Sequence, residues 1–158
     1  MVKVLLSGVL LFSTLALAQT PGPADADAMP AGVMAAIKAD LEARYPDNPQ
    51  TQTSLLEAQV SAFKALRTYA PENVPAAVIA NAKKAVATRY PTNFTMQKTL
   101  LDVQVGAYLF LQAYTPSGVP AGALAPMTHE VRSRYPDNYA MQRTLLESQV
   151  AAYQQRAR

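Results

Sequence analysis

Residues 44–63 read RYPDNPQTQTSLLEAQVSAF, and the stretch returns twice more at a spacing of 45 residues. The second copy, at residues 89–108, reads RYPTNFTMQKTLLDVQVGAY, and the third, at residues 134–153, reads RYPDNYAMQRTLLESQVAAY. Ten of the 20 positions are identical in all three copies, which gives the pattern R-Y-P-x-N-x-x-x-Q-x-x-L-L-x-x-Q-V-x-A-x. Self-similarity at a fixed period of this length is typical of proteins built from stacked repeats.

The match extends upstream through a short x-Pro-Ala sequence, found at residues 29–31, 74–76 and 119–121. The sequence therefore predicts one domain over residues 29–158, made of three repeats. We place their boundaries at 29–73, 74–118 and 119–158.

Each repeat predicts a helical hairpin. In its first half, apolar residues recur at three- and four-residue spacing, as expected of an amphipathic helix. The Tyr-Pro step then ends this helix A, because proline disfavours helical geometry in the residue before it. A second helix of about 20 residues, helix B, follows an asparagine whose side chain can accept from the first unpaired N–H groups. The expected helix caps are Asn48, Asn93 and Asn138.

The three B helices differ in polarity, which indicates how the repeats assemble. The middle copy has Leu-Phe-Leu at residues 109–111, where the first has Lys-Ala-Leu at 64–66 and the last has Gln-Gln-Arg at 154–156. A middle helix that is apolar nearly all round, between two more polar ones, is typical of a stack with polar outer repeats. The predicted fold class is all-α: six helices in three hairpins, stacked as a short α-solenoid or compact bundle.

Pro126 breaks the pattern of the third helix A. It stands where the other repeats have Ala36 and Asn81, and a proline inside a helix costs about 3 kcal/mol. We expect this helix to kink at Pro126 or to begin near residues 125–126.

The N-terminus predicts export. Lys3 precedes an uncharged, mostly apolar run at residues 4–17, and Ala-Leu-Ala at residues 16–18 fits a signal-peptidase site. The apolar run is shorter than the roughly 20 residues of a membrane-spanning helix. We therefore expect a cleaved signal peptide at residues 1–18 and no transmembrane anchor afterwards. Residues 19–28, rich in Pro, Ala and Asp, are expected to form a flexible leader.

The residue inventory argues against an enzyme. The chain has no cysteine and one histidine, which excludes disulfides, thiolate chemistry and multi-histidine metal sites. His129 and Glu130 are adjacent, so on a helix they point in different directions and do not form an acid–base pair. A formal net charge of +3 is too small to indicate nucleic-acid binding. No catalytic residue, cofactor or metal is expected.

Two glutamines of each helix B are the most unusual repeated side chains. The members of each pair are seven residues apart and lie within the apolar stripe, where an unpartnered amide costs about 1–3 kcal/mol. In a structural interpretation, each amide bonds the backbone of an adjacent Tyr-Pro-x-Asn loop. In a functional one, the amides form a ladder that lines a groove and binds an extended peptide. The six residues are Gln52, Gln59, Gln97, Gln104, Gln142 and Gln149.

A candidate interaction surface lies at the first turns of the B helices, where Pro49, Phe94 and Tyr139 occupy equivalent positions. An exposed apolar row of this kind often marks an interface. The alternative is that these residues pack onto the preceding helix.

In its architecture, the hairpin repeat resembles tetratricopeptide and HEAT-type solenoids, although its period differs from the 34 residues of the tetratricopeptide repeat. By analogy, the resemblance implies an interaction surface. We expect an exported, non-enzymatic module in the periplasm or outside the cell that binds another extracytoplasmic protein or itself. The alternative is a binding protein that holds a small molecule, lipid or glycan between its helices. The polar residues 154–156 argue against an endless self-assembled polymer.

Overall fold

The computed structural model describes residues 28–157. This part of the chain forms six α-helices and contains no strand, which confirms the expected all-α hairpin architecture. The expected signal peptide and nearly all of the expected leader lie outside the described residues. The helices are α1 (Ala31–Arg44), α2 (Pro49–Arg67), α3 (Ala76–Arg89), α4 (Phe94–Ala113), α5 (Ala121–Arg134) and α6 (Tyr139–Arg156).

The repeated sequence sets both ends of each hairpin turn. The A helices α1, α3 and α5 stop at the arginine before Tyr-Pro, and the tyrosine N–H still closes the last turn, as in the 2.9 Å bond from Tyr45 to Leu41. The B helices then start directly after the repeated asparagine. Its Oδ1 accepts from the backbone N–H three residues on, at 3.0 Å for Thr51, 3.0 Å for Met96 and 3.1 Å for Met141. These are N-cap bonds, each satisfying a donor that the helix itself leaves unpaired.

Helix α5 runs without a break from Ala121 to Arg134, with Pro126 inside it. The expected start of this helix near residues 125–126 is therefore wrong. Pro126 lies in the second turn, where its missing N–H removes the single bond that would have reached the carbonyl of Gly122. The first turn is held independently, because the N–H groups of Ala123 and Leu124 both bond the carbonyl of Pro120, at 2.9 and 3.1 Å.

The three B helices form the spine of the molecule. Helix α4 packs between α2 and α6, and each A helix packs against the B helix of its own repeat. The B helices run in the same direction with a stagger. Gln59, in the middle of α2, contacts the first turn of α4, while Tyr69, just past the end of α2, reaches Asp102 in the middle of α4.

The core follows this spine in two clusters. One joins the first two repeats around Leu101, which is fully buried, and the other joins the last two around Leu146. Leu56 is the equivalent residue of the first repeat and is only half-buried. A preceding B helix therefore completes the burial of this leucine wherever one is present.

Candidate functional site

The first glutamine of each pair closes the turn within its own repeat. Gln52, Gln97 and Gln142 donate from Nε2 to the carbonyl of the Tyr-Pro tyrosine, at 2.7, 2.5 and 2.5 Å. That carbonyl is one that the end of helix A leaves without an intrahelical donor. Gln97 and Gln142 are buried at 5% and 2% exposure, so the bond supplies a partner to a polar group that water does not reach.

The second glutamine connects one repeat to the next. The Oε1 of Gln59 accepts from the N–H groups of Phe94 and Thr95, at 2.7 and 3.2 Å. Its Nε2 donates to the Oδ1 of Asn93 and the Oγ1 of Thr95, both at 3.3 Å. Gln59, which lies on α2, thus acts as a second N-terminal cap of α4, in addition to Asn93.

Gln104 repeats this arrangement one step along the stack, in a reduced form. Its Oε1 accepts from the N–H of Ala140 at 3.2 Å, and its Nε2 donates to the Oδ1 of Asn138 at 3.2 Å. Each of these glutamines therefore bonds both the N-cap asparagine of the next B helix and a backbone N–H of that helix's first turn. They are engaged with the backbone and the asparagine caps of the following repeat, as in the structural interpretation of the repeated glutamines.

Gln149 occupies the same position in α6 and has a different environment. Its Nε2 donates to the Oε2 of Glu130 in α5, at 3.1 Å. Its Oε1 is buried and accepts no hydrogen bond from residues 28–157. A buried acceptor without a donor costs about 1–3 kcal/mol. The amide of Gln149 is thus engaged within the last repeat, whereas those of Gln59 and Gln104 bond the following repeat.

Aromatic rings form the second repeated contact between repeats. The Phe94 ring meets Phe63 of α2 edge to face, with centroids 5.1 Å apart and an interplanar angle of 76°. Tyr139 meets Tyr108 of α4 in the same way, at 5.2 Å and 81°. Offset edge-to-face geometry places the positive edge of one ring on the negative face of the other.

This packing contradicts the expected surface of Pro49, Phe94 and Tyr139. Phe94 is buried at 9% exposure and Tyr139 is half-buried, so Pro49 alone of the three is exposed. The physical reason is the stagger of the spine, which brings the first turn of each later B helix against the preceding one. The ring contacts of Phe94 and Tyr139 are with the B helix of the preceding repeat, whereas the alternative expectation named the helix directly before each residue in the chain.

A third contact lies at the far end of each B helix. Tyr69 packs under the ammonium groups of Lys98 and Lys83, 5.0 and 6.0 Å from its ring centroid. Burial, together with a hydrogen bond to Asp102 and the charge of that carboxylate, raises the pKa of its hydroxyl to about 12. Tyr114 stands in the equivalent place, where burial and then the charge of Glu147 raise its pKa.

A depression of about 370 Å³ opens beside the second of these junctions, between α4, α5 and α6. Its lining includes the polar residues Tyr108, Tyr139, Gln142 and Arg132, and also Gln112. At the junction of repeats one and two, the residues corresponding to the first four are Phe63, Phe94, Gln97 and Ala87. The second junction therefore has tyrosines where the first has phenylalanines, and Arg132 where the first has Ala87. The first junction has a cation at another position, because Arg67, which lies over the Phe63 ring at 5.9 Å, is the equivalent of Gln112.

The solvent side of α4 carries a second candidate site. Five exposed, uncharged residues at three- and four-residue spacing form what we term the α4 stripe: Met96, Thr99, Val103, Gly106 and Leu109. Within it, Val103 is 49% exposed, and Met96 and Leu109 are each 39% exposed. A Cβ built on Gly106 would meet no atom within 4 Å, so the middle of the stripe is open. Sequence reasoning missed this site because it assigned the apolar residues of α4 to the core of the stack.

Within residues 28–157, the side chains that could ligate a metal are not gathered into a cluster of three or more. His129 and Glu130 are both exposed on α5. None of the helices in this range combines the length and apolarity needed to cross a membrane. No protein-family model, curated protein or solved structure matches the chain.

Proposed function

We propose that the chain is an exported, non-enzymatic helical-repeat protein that binds another protein through the α4 stripe. The observation that supports this function is the exposure of Met96, Val103 and Leu109 on the central helix of the spine. Burying such side chains against a partner is favourable by about 25 cal/mol per Å² of apolar surface. Export rests on the sequence of residues 1–18.

Comparison of the repeats supports the stripe as a specific surface. The residues equivalent to Met96, Val103 and Leu109 are Thr51, Ala58 and Lys64 in α2, and Met141, Ser148 and Gln154 in α6. The middle repeat thus exposes apolar side chains at positions where its neighbours carry mostly small or polar ones. Apolar residues concentrated on one exposed face often mark an interface, whereas isolated ones do not.

The experiment is a cross-linked pull-down of affinity-tagged protein from the extracytoplasmic fraction, read by mass spectrometry. We compare wild type with Val103→Asp and with Ser148→Asp, a matched control that adds the same charge at the equivalent exposed position of α6. We expect one stoichiometric protein that Val103→Asp loses and Ser148→Asp retains, with equal thermal stability of both variants. Capture of the same protein by Val103→Asp would contradict this role of the stripe.

A second candidate function is the binding of a small molecule or glycan in the depression lined by Tyr108, Tyr139, Gln142 and Arg132. Its volume of about 370 Å³ falls within the range of small-molecule sites, which are concave and carry a few convergent polar groups. Native mass spectrometry of protein purified from its own compartment tests this candidate. A bound mass that Arg132→Ala loses supports the site, and an unliganded wild type argues against it.

A further inference from the structure

The two ends of the three-repeat stack carry opposite halves of the contact that joins the repeats internally. That contact places the C-terminal half of one B helix against the first turns of the next hairpin, and it occurs twice, from α2 to α4 and from α4 to α6. We call the unmatched half on α6 the tail face, formed by Gln149, Tyr153 and Arg156. The unmatched half on the first hairpin is the head face, formed by Leu41, Glu42, Gln52 and Leu56.

The tail face retains the groups that make the internal contact. Gln149 is equivalent to Gln59 and Gln104, and its Oε1 is buried without a donor from residues 28–157. Tyr153 is half-buried, and it is equivalent to Phe63 and Tyr108, whose rings pack against the next B helix. At the internal junctions, the glutamine at the position of Gln149 caps the next B helix, and the ring at the position of Tyr153 packs on the aromatic ring that begins that helix.

The head face is correspondingly uncovered. Gln52 and Leu56 are only half-buried, whereas their equivalents are buried in the later repeats, at 2% exposure for Gln142 and 0% for Leu101. A groove of about 210 Å³ runs over them between α1 and α2, lined also by Lys38, Leu41, Glu42 and Thr53. In the later repeats, the preceding B helix lies over this position.

Charge complementarity identifies the occupant of the groove. Leu111 and Arg132 line one depression at the internal junction, so the equivalent residues would face each other if a tail met a head. Those equivalents are Arg156 on the tail face and Glu42 on the head face, both exposed. The last repeat therefore replaces a buried leucine with a cation, and the first repeat supplies the matching anion. The groove also contains Lys38, but its equivalent in the third repeat, Thr128, does not line the internal depression, so Glu42 is the charged residue at the position facing Arg156.

Pro49 does not prevent this contact, although it lacks the N–H that Phe94 donates to Gln59. At the α4–α6 junction, Gln104 accepts from Ala140 and not from Tyr139, and the residue equivalent to Ala140 is Gln50, which has an N–H. The polar residues 154–156, which at first argue against a polymer, include the arginine that fits the head face.

We propose that the protein associates head to tail with a second copy, the tail face of one copy docking on the head face of the next. The contact is heterologous, so a dimer has one unpaired head and one unpaired tail. Further copies then extend it into an open chain or close it into a ring. This inference rests on the proposed function only in assuming that the binding partner is a protein. The head and tail faces are separate from the α4 stripe.

Sedimentation velocity over a concentration series tests the proposal on the purified protein. We expect wild type to associate with rising concentration and to dissociate as salt screens the Arg156–Glu42 pair. Glu42→Arg and Arg156→Glu each place like charges opposite one another and should lower the association constant by about tenfold or more. An equimolar mixture of the two variants restores opposite charges at every junction and should associate like wild type. Ser148→Asp, which alters neither face, is the control.

Two results would overturn the proposal: wild type that stays monomeric at the highest concentration, or association that the two charge reversals and their mixture leave unchanged. The same variants separate this inference from the proposed function. Monomeric wild type that still captures a partner through Val103 overturns the head-to-tail contact alone. Assembly without capture of another protein overturns the role of the stripe alone.

Discussion

The glutamines of the B helices give the sharpest test of how the repeats are held together, because three equivalent residues have different numbers of backbone partners. Gln59 accepts from two N–H groups, Gln104 from one, and the Oε1 of Gln149 from none in residues 28–157. A net hydrogen bond contributes about 1 kcal/mol, and removing the acceptor leaves the donor unsatisfied. Leucine has nearly the same volume. We therefore expect Gln59→Leu to cost about 2 kcal/mol and Gln104→Leu about 1 kcal/mol, with Gln149→Leu neutral or stabilising by up to about 1 kcal/mol.

Urea denaturation followed by far-UV circular dichroism measures these differences, provided that the slope of the transition is the same in all variants. The protein is held at a concentration where sedimentation shows monomer, so that association does not contribute. Equal losses from all three substitutions would refute the reasoning. The loss of stability would then come from the Gln→Leu change itself and not from the number of backbone N–H groups that lose their acceptor. A loss from Gln149→Leu larger than that from Gln59→Leu would refute it as well.

Three further predictions concern caps, rings and pH. Asn93→Ala removes the Oδ1 that caps α4 at Met96 and should cost about 1 kcal/mol in urea denaturation, whereas an unchanged midpoint would show that Gln59 alone caps this helix. Phe94→Ala should cost about 3–5 kcal/mol because its buried ring packs on Phe63, while Pro49→Ala at the equivalent exposed position should cost less than about 1 kcal/mol; similar costs would contradict the ring contact. Tyr69, with a pKa raised to about 12, should be among the last tyrosines to ionise in an absorbance titration, and Tyr69→Phe should remove that step. Because the folded pKa lies above the unfolded value of 10.0, the stabilisation from Tyr69 is complete below pH 10 and is lost as the pH rises toward 12; stability independent of pH over this window would contradict it.

Much of the local structure could be predicted from the sequence because it depends on neighbours along the chain. The Tyr-Pro step ends helix A through the geometry of one residue, and Asn48 caps a helix that starts at the next residue. Both effects act within a few residues, so a repeated pattern predicts a repeated structure. These signals set both ends of each hairpin turn.

The contacts between repeats could not be predicted in the same way, because the period does not give the stagger between neighbouring B helices. Without the stagger, the sequence does not decide whether Phe94 is exposed or packed, and it does not assign the partner of Gln59 to α4. One signal was available: Phe63 and Phe94 are both Phe, and Tyr108 and Tyr139 are both Tyr, so the ring types change together across each junction. The continuity of α5 through Pro126 depended on the other bonds of its first turn, which the sequence does not reveal.

Amide hydrogen exchange of three equivalent residues tests the central claim, that a glutamine from one repeat caps the helix start of the next. Thr95 and Ala140 donate to Gln59 and Gln104, whereas the Gln50 N–H has no such acceptor within residues 28–157. In dilute, monomeric protein at moderate pH, we expect Thr95 and Ala140 to exchange on the order of 100-fold more slowly than Gln50, after correction for intrinsic rates. Head-to-tail association should protect Gln50 as the concentration rises. Exchange of all three amides at the same rate in the monomer would contradict the claim.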